Sequence, residues 1–277
     1  TLLIAHETAH MWFGDLVTMN WFNDVWTKEV FANYFAARIT EPLFPDVNHR
    51  LSNLRTFYIS SLGEDRTPGT TSIRQPLDNL RNSGLIYGQI IYNKAPIVME
   101  KLVELIGQEA FQSGIREYLR TYAYGNATWD DLVSILGSKT DADLKQFSDV
   151  WVNQKGVPEI DMELKGNRLI VRQRDLLNRG IFWPQRFNVT LCGKKTISRE
   201  INLTDSILEL PLDFYPDYVL PNTDGRGYGR FLLSSEAVQY IVDNWFSPER
   251  MPFEHDSISV DGTCRVRANA ILPTVAT

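Results

Sequence analysis

The spacing of hydrophobic residues divides the chain into two parts. Up to about residue 152 the apolar positions recur every three or four residues, which is typical of one face of a helix. From Ile160 onward they alternate with charged residues, as Ile160, Met162 and Leu164 do, which indicates strands with one buried face. The change predicts a multidomain α+β chain, mainly helical over residues 1–156 and followed by a small antiparallel β-sandwich over 157–233.

The helical part is predicted to contain seven helices, with Gly or Pro at several of their ends. They are predicted over residues 1–13, 25–40, 46–62, 95–107, 108–124, 128–136 and 141–152. Residues 15–24 and 63–84 lack a clear period and are predicted to be loops. The helix over 25–40 bears one apolar stripe, which we expect to face the core. Its members are Val30, Phe31, Tyr34, Phe35 and Ile39.

Local signals mark several boundaries. Thr128-Trp129-Asp130-Asp131 resembles a capping box and predicts the start of a helix. Lys165-Gly166-Asn167 predicts a hairpin turn. Further strands are predicted at 186–192, 196–202, 206–211 and near 217–220. The Gly-rich stretch 221–231 lacks the Lys-Ser/Thr pair of a phosphate-binding loop and is predicted to turn into a last strand. A helix from Ser234 to Trp245 is predicted to begin a C-terminal helical domain over 234–277, in which residues 250–277 show no period.

Composition and charge exclude several classes of protein. The hydrophobic share of 43% is ordinary for a globular protein with a core. The net charge of −6 comes without the basic patch that nucleic acid requires. No apolar run reaches the roughly 18–20 residues that span a membrane. Cys192 and Cys264 are too few for a disulfide framework, and we assign them no role.

The first thirty residues hold the strongest candidate chemistry, in His6-Glu7-Thr8-Ala9-His10 and Glu29. Residues four apart lie on one helical face with Cβ atoms roughly 5–6 Å apart, so both imidazoles can reach one ion. Glu29 would add a third ligand from a second helix. Three protein ligands leave one position open, which is typical of a catalytic zinc. Glu7 stays off the metal and can act as general base toward a water molecule.

The alternative is that both histidines are ordinary helix residues. The chain has only four His in 277, so two given positions are both His by chance about 2 times in 10,000. Aromatic residues surround the motif and imply a buried pair of helices. A buried His or Glu needs a partner, and a metal gives three of them one partner together. We therefore favour one zinc ion per chain, held by His6, His10 and Glu29.

The residues from His6 to Thr18 resemble the zinc motif of the M1 family of metallo-aminopeptidases, in a form closer to a bacterial branch. Trp26-Thr27-Lys28-Glu29-Val30-Phe31-Ala32 resembles the segment with the third ligand, and the gap of eighteen residues between His10 and Glu29 matches. Asp15, Lys28 and Val30 depart from the usual Asn, Asn and Gly, which bears on pocket detail more than on the metal. The resemblance covers about residues 1–245.

Peptide hydrolysis at a zinc-bound water forms an oxyanion, which the zinc and a second hydrogen-bond donor can stabilise. A tyrosine hydroxyl is a suitable donor, and the spacing alone does not decide between Tyr58, Tyr87 and Tyr92. The resemblance selects Tyr92, because Ile91-Tyr92-Asn93-Lys94-Ala95 resembles the family segment whose Tyr stabilises the transition state. It also implies that Tyr87 is a second pocket tyrosine. His49 is expected to be a surface histidine, and Arg74 is expected to pair with a carboxylate.

The resemblance implies a function and an architecture. Residues 1–156 would be the helical, C-terminal part of a thermolysin-like catalytic domain, and the substrates would be peptides with a free N-terminus. For location it suggests a bacterial cell envelope, periplasm or cytoplasm. The family anchors the substrate amine with an upstream Gly-x-Met-Glu-Asn motif, which is not in this sequence. We therefore expect this chain, without the missing N-terminal and C-terminal parts of its parent, to be weakly active or inactive.

Two alternatives stay open. A thermolysin-type zinc endopeptidase also uses His-Glu-x-x-His with a distant Glu, although its Glu is spaced differently. A non-enzymatic interaction module on an inactive peptidase fold is the other. Intact ligands and Glu7 argue against this second alternative, because a decayed site has no chemical reason to keep all four.

Overall fold

The computed structural model describes residues 1–244, which form two compact units, Thr1–Gly156 and a second beginning at Val157. The α-helices of these residues are α1 (Leu2–His10), α2 (Val25–Thr40), α3 (His49–Asn53), α4 (Ile59–Asp65), α5 (Ser83–Ile86), α6 (Ala95–Ile106), α7 (Gln108–Thr121), α8 (Trp129–Gly137), α9 (Leu144–Phe147) and α10 (Ser235–Asn244). The strands are β1 (Val17–Met19), β2 (Gly125–Ala127), β3 (Pro158–Lys165), β4 (Arg168–Asp175), β5 (Gln185–Cys192), β6 (Ile197–Leu203), β7 (Ile207–Pro211), β8 (Tyr218–Leu220) and β9 (Arg230–Phe231).

The mixed helical and strand composition confirms the predicted α+β class. The expected end of the last helix at Trp245, the expectations for residues 250–277 and Cys264 all lie outside the described residues. None of the helices within residues 1–244 combines the length and apolarity that crossing a bilayer requires.

The core of the first unit begins where α1 and α2 pack together. Both helices place alanines on buried faces, among them Ala9, Ala32 and Ala36. Small side chains let two helix backbones approach closely. The predicted range of α2 is confirmed, and so is the burial of most of its apolar stripe. Ile39 is the exception, because it is 53% exposed, so its prediction as a core residue is wrong.

Three single π-helical turns interrupt the predicted helices, at Leu54–Tyr58, Ile90–Lys94 and Ser148–Val152. The helix predicted over 46–62 is therefore α3, a π-helical turn and α4 in succession. The helix expected to start near Ala95 is already preceded by the turn Ile90–Lys94, which carries Tyr92. A π-helical turn holds one extra residue per turn and is often found at functional sites.

A pair of parallel strands lies in the otherwise helical unit. β1 and β2 pair with Val17 opposite Gly125. The expectation of an unstructured loop over 15–24 was therefore wrong, as was the extension of α7 to residue 124. Strands of three residues carry no readable period, and the partners of this pair are 108 positions apart.

Charged groups fix the segment that leads into α2. The Arg74 guanidinium lies 2.7 Å from the Asp24 carboxylate and donates to Asp130 at 2.9 Å. Burial raises the pKa of Asp24, and the charge of Arg74 opposes that shift. The predicted pairing of Arg74 with a carboxylate is confirmed. Because Asp24 stands directly before α2, this network fixes the start of the helix that bears Glu29.

Helix α8 begins as its sequence predicts. The Thr128 hydroxyl accepts a hydrogen bond from the Asp131 backbone N–H, and the Asp131 carboxylate accepts one from the Thr128 N–H. This is the reciprocal arrangement of a capping box. The Thr128 hydroxyl also donates to the Asp131 carboxylate at 2.6 Å, and this bond and the one from the Thr128 N–H lower the pKa of Asp131. The cap therefore fixes the point at which the chain leaves β2 and enters α8.

Over residues 157–244 the second unit contains two small sheets, in the orders β7-β4-β3-β9 and β6-β5-β8. Inward side chains of both sheets form one core, including Val171, Phe187 and Ile201. The hairpin predicted at Gly166 is confirmed, with Lys165 opposite Arg168. Gly166 has φ +60, a conformation that Gly adopts without strain. The sheets are not wholly antiparallel, because β9 returns parallel to β3.

Candidate metal centre

Helices α1 and α2 bring together the three residues with metal-ligand spacing. The Nε2 atoms of His6 and His10 lie 3.2 Å apart, and each is 3.7 Å from Oε2 of Glu29. The two imidazoles are partly exposed, whereas Glu29 is buried. The structure therefore places one face of the cluster toward the core and leaves the other accessible.

The second nitrogen of each imidazole is held by a carbonyl oxygen. His6 Nδ1 lies 2.9 Å from the Asn33 side-chain oxygen, and His10 Nδ1 lies 2.9 Å from the Phe13 backbone oxygen. Both oxygens are acceptors only, so each Nδ1 carries the proton and donates. In neutral imidazoles both Nε2 atoms then present lone pairs, which is the state in which histidine binds a metal.

This donor set fits a zinc ion. With both Nδ1 atoms protonated, two Nε2 lone pairs and a carboxylate oxygen face one another across 3.2–3.7 Å, an arrangement that a cation among them stabilises. Ligand atoms about 2.0–2.1 Å from a tetrahedral zinc are themselves about 3.3 Å apart. The observed separations are close to that value. The second carboxylate oxygen of Glu29 is 3.4 Å from the Lys28 ammonium.

The turn after α1 holds His10 in this orientation. Phe13 stacks on Phe31 and Phe35 of α2, with ring centroids 4.7 and 5.0 Å away. Gly14 has φ +130, which side-chain-bearing residues rarely adopt, and a Cβ there would lie 3.5 Å from His10 Nδ1. The glycine and the aromatic stack together bring the Phe13 carbonyl to the imidazole.

The structure separates the remaining candidates. Glu7 follows His6 with an exposed side chain outside the three-residue cluster. Tyr92 is 39% exposed, and its pKa is raised first by burial and then by the charge of Glu29. Tyr87 stacks beside it with centroids 6.2 Å apart. Tyr58 is buried in the core, and His49 hydrogen-bonds the Phe44 carbonyl outside the cluster.

Sequence reasoning missed two residues that act on the ligands, Asn33 and Lys28. Asn33 stands four residues after Glu29, so that α2 presents both to α1 on one face. That spacing was a usable signal, because metal-bound histidines almost always donate their other N–H to an oxygen acceptor. Lys28 gave no such signal, since an exposed lysine beside a glutamate is common.

Replacing Asn33 tests its part in the centre. We expect Asn33→Leu, of similar size but without an acceptor, to weaken zinc binding about 10–100-fold because the His6 ring loses its fixed orientation. Asn33→Asp keeps an oxygen in place and should retain most of the affinity. Competition with a chromophoric chelator measures both variants. Equal affinities in the two would show that the acceptor has no effect on the metal.

Comparison with known proteins identifies the family of the chain. A family model described as the peptidase family M1 domain matches residues 1–151. That is more than half of the 277 residues, and the chain belongs to peptidase family M1.

Similar proteins occur in several organisms, and two of the three described below are named aminopeptidases. Aminopeptidase N of Lactococcus lactis subsp. cremoris (strain MG1363) is 30% identical over 247 residues, covering 87% of this chain and 28% of that protein. Tricorn protease-interacting factor F2 of Thermoplasma acidophilum is 27% identical over 249 residues, which cover 88% of this chain and 30% of that protein. Endoplasmic reticulum aminopeptidase 2 of Homo sapiens is 29% identical over 271 residues, which cover 82% of this chain and 28% of that protein. The chain spans less than a third of the length of these relatives.

Proposed function

We propose that the protein carrying this chain is a zinc aminopeptidase, which removes single residues from the free N-terminus of peptides. One observation supports the proposal above the others, namely that Nε2 of His6, Nε2 of His10 and Oε2 of Glu29 lie 3.2–3.7 Å from one another. His6, His10 and Glu29 would hold the zinc. When bound, zinc acts as a Lewis acid that acidifies water and polarises a carbonyl.

The side chains around the centre have separate roles in this proposal. The Glu7 carboxylate takes the proton of the attacking water and later delivers it to the leaving amine nitrogen. Because Glu7 is exposed and stands next to His6, its carboxylate is accessible to the attacking water and to the leaving amine nitrogen. The Tyr92 hydroxyl donates a hydrogen bond to the oxyanion that forms on the scissile carbonyl. It remains protonated at neutral pH, because its pKa is raised above the ordinary value of 10.0.

The restriction to N-termini rests on the relatives, two of which are named aminopeptidases. We propose that unit Thr1–Gly156 is the helical part of the catalytic domain and that a β-sandwich domain and the start of a helical domain follow it. The Gly-x-Met-Glu-Asn motif that the family resemblance implies as an amine anchor is not found in these 277 residues. Activity is therefore proposed for the complete protein, and this chain alone should be weakly active or inactive.

A matched pair of peptides tests the aminopeptidase proposal. We expect the complete protein to cut a peptide with a free N-terminus more than about 100-fold faster than its N-acetylated form, because a site that binds the amine rejects a substrate lacking it. Mass spectrometry of the products measures both rates and the bond that is cut. Cleavage of both peptides at internal bonds would instead identify an endopeptidase. No cleavage by zinc-loaded protein would favour an inactive peptidase fold.

A further inference from the structure

A fully buried ion pair lies beneath the turn that carries Tyr92. Lys94 Nζ is 2.7 Å from Oδ2 of Asp65, and neither side chain has exposed surface. Lys94 also donates to the Gly156 carbonyl at 3.0 Å. Buried charges are costly unless they are paired and hydrogen-bonded, so a pair in this position calls for an explanation.

The second carboxylate oxygen of Asp65 completes the network. It accepts hydrogen bonds from the Thr70 hydroxyl at 2.8 Å and from the Gly156 backbone N–H at 3.0 Å. The network thereby joins the end of α4, the loop after it, the turn Ile90–Lys94 and the last residue of the first unit. These segments are far apart in the sequence, and none of them contains a predicted metal ligand.

The turn presents Lys94 and Tyr92 in different directions. Residues two apart on a helix do not face each other, and here Lys94 has no exposed surface while Tyr92 is 39% exposed. The turn packs on α4, which carries Asp65, and on α2, which carries Glu29. Fixing Lys94 at its buried end therefore fixes the rotation of the turn, and with it the direction of the Tyr92 side chain.

Stability alone does not require these charges. Replacing a buried ion pair with apolar residues of similar volume is often neutral or stabilising, whereas the best-attested use of such pairs is to fix register. We propose that Asp65 and Lys94 are positioning residues, which lock the π-helical turn Ile90–Lys94 in the register that aims Tyr92 at the metal centre. The proposal rests on the proposed role of Tyr92 in the reaction.

A double-mutant cycle in the complete protein tests the proposal. The paired change Asp65→Leu with Lys94→Met is made with Tyr92 present and again in the Tyr92→Phe variant. We expect the pair to lower kcat about 10-fold or more when Tyr92 is present, since a displacement of about 1 Å can cost up to 100-fold. It should change kcat less than about twofold in the Tyr92→Phe background, with KM and zinc content unchanged. The same loss in both backgrounds, or no loss in either, would overturn the proposal.

The surface pair Lys145 and Asp149 supplies the matched control. Their side chains are 2.7 Å apart and exposed, and Lys145→Met with Asp149→Leu makes the same two chemical changes without touching the turn. This control should leave kcat at the unmodified value. If the Asp65→Leu, Lys94→Met protein does not fold, the neutral pair Asp65→Asn with Lys94→Gln enters the same cycle under the same criteria.

Amide hydrogen exchange gives a readout that does not depend on activity. In the buried-pair variant we expect faster exchange over the turn Ile90–Lys94, about 10-fold or more, with unchanged exchange in the interior of α7. If Tyr92→Phe alone left kcat unchanged, the catalytic role of Tyr92 would fail, and exchange would still decide whether the pair holds the turn. Unchanged exchange over the turn would overturn the proposal in that case also.

Discussion

Glu7→Gln is expected to lower kcat of the complete protein by about 100- to 10,000-fold, which is the usual contribution of a general base. The amide keeps the size of the side chain but cannot take a proton from water. Glu7 lies outside the cluster of His6, His10 and Glu29, so zinc content should remain at one per chain. Steady-state kinetics with an aminoacyl amide, together with metal analysis of the same sample, measures both quantities.

A control for this substitution is available in the same unit. Glu109 is an exposed glutamate in the first turn of α7, and Glu109→Gln makes the same chemical change away from the cluster. Its kcat should equal that of the unmodified protein. Activity of Glu7→Gln within a factor of about 10 of the unmodified protein would assign the proton transfer to another group. Loss of zinc in that variant would show that Glu7 contributes to the metal centre.

His10→Ala is expected to abolish stoichiometric zinc binding. The substitution removes one of the three proposed ligands. The His6 imidazole and the Glu29 carboxylate then lack the bound cation that offsets the repulsion between their lone pairs. Loss of an outer partner already costs about 10–100-fold in affinity, so loss of a ligand should cost more than about 100-fold. Equilibrium dialysis against zinc, followed by metal analysis, measures the change, and activity should fall with the metal content.

The matched control for this change is His49→Ala. His49 hydrogen-bonds the Phe44 carbonyl and is not part of the cluster. The variant should bind one zinc with unchanged affinity. If both variants kept stoichiometric zinc, the metal would have to be held by residues other than the proposed triad. If both lost zinc, the loss would reflect a general disturbance of the fold rather than a missing ligand.

Elements whose signals are local could be predicted from the sequence. Helix α2 has a continuous apolar period and a proline two residues after its end, and its predicted range is confirmed. The strands of the second unit follow from alternation and from turn residues such as Gly166. The capping box at Thr128 was readable because all of its groups lie within four residues.

Elements that depend on distant partners could not be predicted. Strands β1 and β2 are three residues each and exist because each supplies the other's hydrogen bonds. The π-helical turns change the helical period by one residue, which hydrophobic spacing does not resolve. Ile39 continues the apolar stripe of α2 in the sequence. It lies in the last turn of that helix, where no element described in residues 1–244 covers its side chain.

The candidate site likewise contains residues that could be predicted from local sequence and residues that could not. His6, His10, Glu7 and Glu29 stand in a motif with fixed spacing, so chemistry alone singled them out, and their roles stay predictions. The acceptors of the two Nδ1 protons were not identified, although Asn33 was within reach of a spacing argument. No signal in the sequence indicated the pair of Asp65 and Lys94. A lysine is expected to be exposed, and its burial here depends on a carboxylate that is 29 residues away in the chain.

The pairing of β1 with β2 sets a lower limit on the size of an independent metal-binding piece. Residues 1–106 include every proposed ligand and Tyr92, yet the segment between α1 and α2 is held from residues further on. The Tyr124 N–H donates to the Leu16 carbonyl, and the Trp129 N–H donates to the Asp24 carboxylate. A shortened protein for metal-binding or crystallographic work should therefore extend at least through α8, and during synthesis these two hydrogen bonds can form only after Trp129 has been added.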